Sequence, residues 1–365
     1  MPMQVLRSAI IGSILVICAS AAPARPLVIG YAPAFRPLAE SIGRGDAGRY
    51  THINIAFANP DASGLMVDGG KLTCMPRADR TMMRLEALKG AVAALKEKGV
   101  KVSVSIGGGV IPACSGDWRV LLAPSRRAAM VANLLDLVDT LELDGLDVDI
   151  EGALLTEIDK AGDFTPFIAA LSAGMKQRGK LLSCATASYD GGMIPIDSIP
   201  YFDLVNVMSY DAIGPSWGRA GAEHSTYEAA QRDLELWRAR GVSKERLVLG
   251  VPFYGYGFGE YRPNWAFRDL RSTHGAAALK ADVIGRACPG CDYITFNSPS
   301  TIRRKARLAA AEAAGVMVWE MSQDSADALL MGAIEAGFGD AAPRPDGNAP
   351  TFRQNRHCPR RDCAR

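Results

Sequence analysis

Short apolar runs alternate along this chain with longer stretches in which apolar residues recur at helical spacing. The runs are Leu27 to Tyr31, Ile53 to Ala58, Val100 to Ile106, Leu143 to Ile150, Leu181 to Ala187, Leu204 to Met208, Leu247 to Pro252 and Val316 to Trp319. Their composition and length suit strands rather than helices. Between them, Met82 to Lys98, Arg126 to Leu141, Asp163 to Gln177, Tyr227 to Arg240, Thr301 to Ala314 and Ala326 to Ala336 read as helices. Several end at a stop glycine, such as Gly99, Gly179, Gly241 or Gly315. Strands that are apolar nearly throughout need cover on both faces, which a parallel sheet flanked by helices provides. Eight such strands, mostly separated by helices, predict an α/β fold, a (β/α)8 TIM barrel over residues 25–339. A doubly wound open sheet is the alternative. It wants a Gly-rich phosphate turn after the first strand, and Tyr31-Ala32-Pro33 is not one.

A TIM barrel gathers its functional groups at the C-terminal ends of the strands. Polar and aromatic residues fall there repeatedly: Tyr31, Phe57-Ala58-Asn59, Ser105-Ile106-Gly107-Gly108, Glu151, Met208-Ser209-Tyr210-Asp211, Phe253-Tyr254 and Trp319-Glu320. The fourth run carries the most chemistry, with Asp144, Asp147, Asp149 and Glu151 set among Leu, Val and Ile. Residues two apart on a strand share a face, with Cα atoms about 6.6 Å apart. Asp147, Asp149 and Glu151 therefore line one side, and Val148 and Ile150 the other. Carboxyl groups that close together in a partly dry place cannot all ionise, so at least one keeps a proton near neutral pH. Glu151, where the strand ends at Gly152, is best placed to pass that proton to a substrate. A calcium loop is the sharpest rival reading. Its twelfth position would be Ile158, where a bidentate Glu is required. A magnesium site on the same acids is a second rival.

The pattern Asp-x-x-Asp-x-Asp-x-Glu, complete here as Asp144, Asp147, Asp149 and Glu151, resembles the signature of glycoside hydrolase family 18, the chitinases and their relatives. Ser103-Val104-Ser105-Ile106-Gly107-Gly108 is similar to that family's strand-three motif, and Met208-Ser209-Tyr210-Asp211 to its strand-six motif. The resemblance implies that Glu151 is the proton donor and that Asp149 holds the acetamido N–H of the sugar. It implies that Asp147 shares a proton with Asp149 and that Tyr210 orients the acetamido oxygen. Trp319 would floor the sugar subsite, with Asp211, Met208, Tyr31, Phe57 and Tyr254 around it. Trp217, Tyr256, Phe258, Tyr261 and Trp265 line outer subsites or simply pack the loops. Family 18 is an exception to the two-carboxylate scheme, because the substrate's own acetamido group acts as nucleophile. The implied substrate is chitin or an N-acetylglucosamine oligosaccharide. An endo-β-N-acetylglucosaminidase acting on N-glycans and a non-catalytic chitin-binding lectin are the alternatives. Many members carry a small α+β insertion between strands seven and eight. The span here is short for a full one, which predicts a shallower cleft wall.

Composition narrows the remaining possibilities. The chain has 365 residues, 48% of them hydrophobic, and a net charge of +2 with no basic stripe for nucleic acid. Arg7 followed by the apolar run Ala9 to Ala19 reads as a signal peptide over residues 1–24, which predicts a secreted or periplasmic protein with no membrane anchor after processing. Residues 340–365 read as a flexible basic tail, with six Arg against two Asp from 341 onward. Export permits disulfides. Cys288 and Cys291 suit a local bridge, Cys74 and Cys114 fall at the same end of the barrel, Cys358 and Cys363 can pair in the tail, and Cys184 reads as a buried thiol. The four His are scattered, so neither a zinc site nor a Ser-His-Asp triad is supported, and no cofactor is expected.

Overall fold

The computed structural model describes residues 25–43 and 46–341. The expected leader and nearly all of the Arg-rich tail, including Cys358 and Cys363, lie outside the described residues. Eight parallel strands close into a barrel in chain order: Leu27–Pro33, His52–Ala58, Lys101–Gly107, Gly145–Asp149, Leu181–Thr186, Leu204–Val207, Leu247–Pro252 and Gly315–Trp319. The first and last strands pair directly, Val28 beside Val316 and Gly30 beside Val318, so no sheet edge is left.

Alternation along each strand separates two kinds of core. On the first strand Val28 and Ala32 pack outward beneath the helices, while Ile29 and Tyr31 point into the barrel. The fourth strand does the same: Val148 and Ile150 are buried against the helical layer, each worth about 1.5–3 kcal/mol of burial. That burial fixes the register, since a slip of one residue would turn the acids outward and the aliphatics inward. The barrel interior is polar for a core, with Asn54, Ser103, Ser105, Asp147, Asp149, Ser183 and Asn206 all buried. A buried carboxylate is tolerable only among such donors.

The helices depart from the sequence pattern at their starts. The stretch beginning at Met82 is first a strand, Met82–Arg84, which completes a small antiparallel sheet with Val67–Asp68 and Lys71–Pro76, and the helix runs Leu85–Glu97. The last helix begins at Leu329 rather than Ala326, because Asp324 accepts the backbone N–H groups of Leu330 and Met331 and fixes the first turn there. The insertion after the seventh strand is a folded unit, where the sequence suggested only a shallow wall. Strands Tyr254–Phe258, Asn264–Ala266, Val283–Gly285 and Tyr293–Thr295 form one antiparallel sheet, joined by helices Phe267–His274 and Ala276–Lys280. Strands of only three to five residues let a complete sheet fit in this span. Cys74 bridges Cys114, Cys288 bridges Cys291, and Cys184 is buried and free, as expected from the sequence. Among the described residues no helix is long and apolar enough to cross a membrane.

Candidate active site

The four acids of the fourth strand have four different environments. Asp144 lies at the far end, accepting the Val102 N–H at 2.9 Å and pairing with Lys96 at 3.6 Å, so it ties the start of the sheet to a helix. Asp147 is wholly buried in the barrel. Tyr31 and Ser105 donate hydroxyl protons to its Oδ2, both at 2.7 Å; Ser183 donates to Oδ1 at 2.5 Å, and the Asn206 amide approaches Oδ1 at 3.4 Å. Burial raises its pKa and the ring of donors opposes that rise.

Asp149, one step nearer the surface, is hydrogen-bonded to Glu151 and not to Asp147. The family resemblance implies proton sharing between Asp147 and Asp149. With Asp147 already ringed by other donors, the sharing pair is Asp149 and Glu151. Burial pushes both carboxyls up. Asp149 goes well above the usual range because the charges of Glu151 and Asp147 add to burial, whereas the hydrogen bond from Asp149 pulls Glu151 part of the way back. Both shifts favour a proton shared within the pair, and the rise is the larger on Asp149. Asp149 Oδ1 is buried with no hydrogen-bond partner among the described residues.

Backbone geometry brings this pair to the mouth of the barrel. Gly107 and Gly108 both have φ near +95°, at 95° and 98°, a region closed to most side chains. A Cβ on Gly107 would lie 2.5 Å from the Asp149 carbonyl oxygen, and one on Gly108 would lie 2.7 Å from the Phe57 ring. The Gly-Gly pair thus lets the third strand turn under Phe57 and lets the Gly108 N–H reach the Asp149 carbonyl at 2.6 Å. Gly109 continues so close that its Cβ would stand 3.1 Å from Glu151 Oε1. Glu151 itself is half-buried at the start of helix Gly152–Lys160.

A cavity of about 510 Å³ opens over the pair. Asp149, Glu151, Tyr31, Phe57, Met208, Tyr210, Asp211 and Trp319 all line it, so nine of the ten sequence candidates meet at one place once Asp147 is counted behind Tyr31. Among the lining rings, Trp319 is stacked with Phe57 at 5.7 Å and tilted against Tyr31 at 5.5 Å. Among the described residues the Tyr210 hydroxyl meets the Met317 sulfur, 3.6 Å away, a weak acceptor that leaves it ready for a better one. The tenth, Tyr254, is buried behind Asp211 and gives its hydroxyl proton to Asp211 Oδ1. A larger cavity, about 740 Å³, lies between helices Leu38–Gly43 and Leu85–Glu97. Its one acid is Asp79 and it has no aromatic ring, so it lacks the means for acid chemistry on a sugar.

Several lining residues were not evident from the sequence. Ala185 and Met317 face inward near the ends of the fifth and eighth strands, and the inward period marks them. Phe35 and Val110 stand exposed at the mouth on loops after the first and third strands, and Pro76, ending strand Lys71–Pro76, and Pro112, on a loop, come from segments that the Cys74–Cys114 bridge joins. No periodicity locates loop residues. Among the outer aromatics, Trp217 is half exposed and meets Tyr256 edge-on, while Tyr256, Phe258 and Trp265 are buried in the insertion sheet. Among the described residues no group of His, Cys, Asp and Glu is arranged to hold a metal ion.

Residues 28–324 match the family model described as Glycosyl hydrolases family 18. Chitinase 63 of Streptomyces plicatus is 25% identical over 357 residues, covering 80% of this chain and 56% of the relative. Probable chitinase 10 of Drosophila melanogaster is 26% identical over 283 residues, covering 64% of this chain and 12% of the relative. The chain thus spans about half the length of the first and a small part of the second. Among solved structures, the GH18 chitinase ChiB of Flavobacterium johnsoniae is 29% identical with a TM-score of 0.72, over 87% of this chain and 94% of that one.

Proposed function

The chain belongs to glycosyl hydrolase family 18, and from that membership we propose that it cleaves β-1,4 bonds between N-acetylglucosamine units of chitin or its oligomers, with retention at the anomeric carbon. The observation that carries the reading is the hydrogen-bonded Asp149–Glu151 pair, both carboxyls raised in pKa by burial, in a pocket lined by Tyr31, Phe57, Tyr210 and Trp319. A ring such as Trp319 suits the apolar C–H face of a pyranose.

Glycoside cleavage needs an acid for the leaving oxygen and a nucleophile for the anomeric carbon. Asp149 is committed to Glu151 and Asp211 to Tyr254, so neither is a free nucleophile. The acetamido oxygen of the sugar fills that role, oriented by the Tyr210 hydroxyl. When the acetamido N–H donates to the unpartnered Asp149 Oδ1, the ionised form of Asp149 is favoured and its proton crosses the existing hydrogen bond to Glu151. Glu151 then protonates the leaving oxygen while the acetamido oxygen closes on the anomeric carbon. Anionic Asp149 stabilises the oxazolinium ion. Water, deprotonated by Glu151, opens that ring and restores the acid.

Export of the protein is part of the same reading. It is supported by the apolar run near the N-terminus and by two disulfides, which persist in oxidising compartments. Reducing-end release from colloidal chitin, run beside release of N-glycans from a glycoprotein, tests the substrate. Cleavage of chitin alone supports the proposal; cleavage of the glycoprotein alone replaces it with the N-glycan enzyme; cleavage of neither points to a lectin.

A further inference from the structure

His224 is fully buried, on the loop between the sixth strand and helix Tyr227–Ala239; among the described residues neither ring nitrogen makes a hydrogen bond of ordinary length and angle, and the polar groups facing it are the Asp211 carboxylate and the Tyr254 backbone. A buried imidazole without a well-formed hydrogen bond is costly, so the arrangement calls for a reason. Its ring is wedged against Tyr254 and Tyr256 of the insertion sheet, at 5.3 and 5.2 Å between centroids. Its Nδ1 points at Asp211 Oδ1 from 3.6 Å, just beyond hydrogen-bond reach. That oxygen already accepts the Tyr254 hydroxyl, and Tyr256 also hydrogen-bonds Asp211. Asp211 in turn lines the pocket, with its backbone in the left-handed region at φ 63°, where a non-glycine residue stays only when its surroundings hold it. Trp217 donates to its carbonyl at 3.0 Å, and Ala212 N–H donates to the His224 carbonyl at 3.1 Å, so the two loop segments are laced together.

We propose that His224 is a positioning residue for the reaction assigned above: its Nδ1–H closes on Asp211 Oδ1 when a sugar draws on the outer Asp211 oxygen, holding that carboxylate in place. The inference rests on the proposed hydrolysis of N-acetylglucosamine oligomers. Donors from the insertion sheet then act on the acid through one intermediary, because the negative charge of Asp211 raises the pKa of Glu151. His224 is suited to donate without becoming charged. Burial lowers its pKa, Asp211 opposes that from the facing loop, and Lys305, on helix Pro299–Glu312, adds to the lowering. Tyr254 and Tyr256, the other titratable groups against the ring, have pKa values raised by burial and stay neutral donors.

The test compares the unaltered protein with His224→Leu and His224→Asn on chitohexaose, reading kcat/KM against pH, KM and kcat separately, and thermal stability. In His224→Leu the alkaline limb, where Glu151 loses its proton, moves about 0.5 pH unit or more toward acid, and KM rises about tenfold. His224→Asn keeps a donor at a similar distance and returns both within about twofold. A limb and KM that stay put in His224→Leu overturn the proposal, as does an Asn variant no better than the Leu variant, or a loss of stability with no movement of the limb. Should His224→Leu fail to fold, proton NMR of the unaltered protein decides. Chitotetraose shifts the His224 Nδ1–H resonance downfield if the hydrogen bond forms, and an unmoved resonance contradicts it. If the unaltered protein does not cut chitohexaose at all, the proposed function fails; the resonance shift on binding still reports on His224.

Discussion

Asp149 is hydrogen-bonded to Glu151, two residues further along the same strand face, while Asp147, two residues back, is occupied by Tyr31, Ser105, Ser183 and Asn206. One row of equally spaced acids is thus divided into a fixed anchor in the core and a hydrogen-bonded pair lining the pocket. The division follows from depth. Only the inner position is surrounded by hydroxyl donors from neighbouring strands, so only the outer two turn to each other.

Glu151→Gln removes the transferable proton but keeps size and polarity. Loss of a general acid lowers kcat by about 10²–10⁴-fold. Oligosaccharide affinity, measured by calorimetry with chitotetraose, stays within a few-fold, because the aromatic lining is untouched.

Asp149→Asn is expected to lose activity and gain stability. The native carboxyl has a pKa raised above its unfolded value, so the folded state binds more protons between the two. Its contribution to stability is therefore full below about pH 4, near the unfolded value, and declines as pH rises toward the folded pKa. An amide never ionises and escapes that decline. Thermal melts at pH 7 then show Asp149→Asn above the unaltered protein, by about 2–4 °C per kcal/mol relieved, and the gap closes near pH 4. An unaltered gap at both pH values contradicts the buried proton.

The Cys74–Cys114 bridge closes a loop of sequence separation 40 and joins the two segments that bring Pro76 and Pro112 to the pocket. Its removal in the double Ser variant lowers stability by about 2–4 kcal/mol, and more than removal of Cys288–Cys291, whose separation is 3. Denaturant unfolding of both double variants ranks them. The Cys74–Cys114 variant also binds chitotetraose less well, since that pocket wall is no longer tied.

Trp319→Ala removes a lining ring and its contacts with Tyr31 and Phe57. Loss of a stacking platform raises KM for chitohexaose about tenfold or more, with kcat reduced less. A kcat loss with KM unchanged would instead mean that the ring acts only in the transition state.

The barrel was legible because both of its periods are strong. All eight apolar runs became strands, and the strand-end rule led to Glu151, Tyr210 and Trp319 together. What escaped was set by contacts distant in sequence. Met82 continues a helical pattern, yet it pairs with Pro76 because the Lys71–Pro76 strand lies beside it. Tyr254 follows a barrel strand as the other candidates do, but the insertion sheet turns it behind Asp211. The partner of Asp149 was not readable from spacing, since equal spacing says nothing about which neighbour is already occupied. His224 carried no sequence signal at all, being one of four scattered histidines.

The most direct test of the central claim is the hydrolysis of chitopentaose beside its fully deacetylated counterpart, with the anomeric protons of the first products followed by NMR. Nucleophilic attack by the sugar's own acetamido group predicts rapid cleavage of the first with the β anomer formed initially, and no cleavage of the second. Comparable cleavage of both, or an initial α anomer, would contradict it.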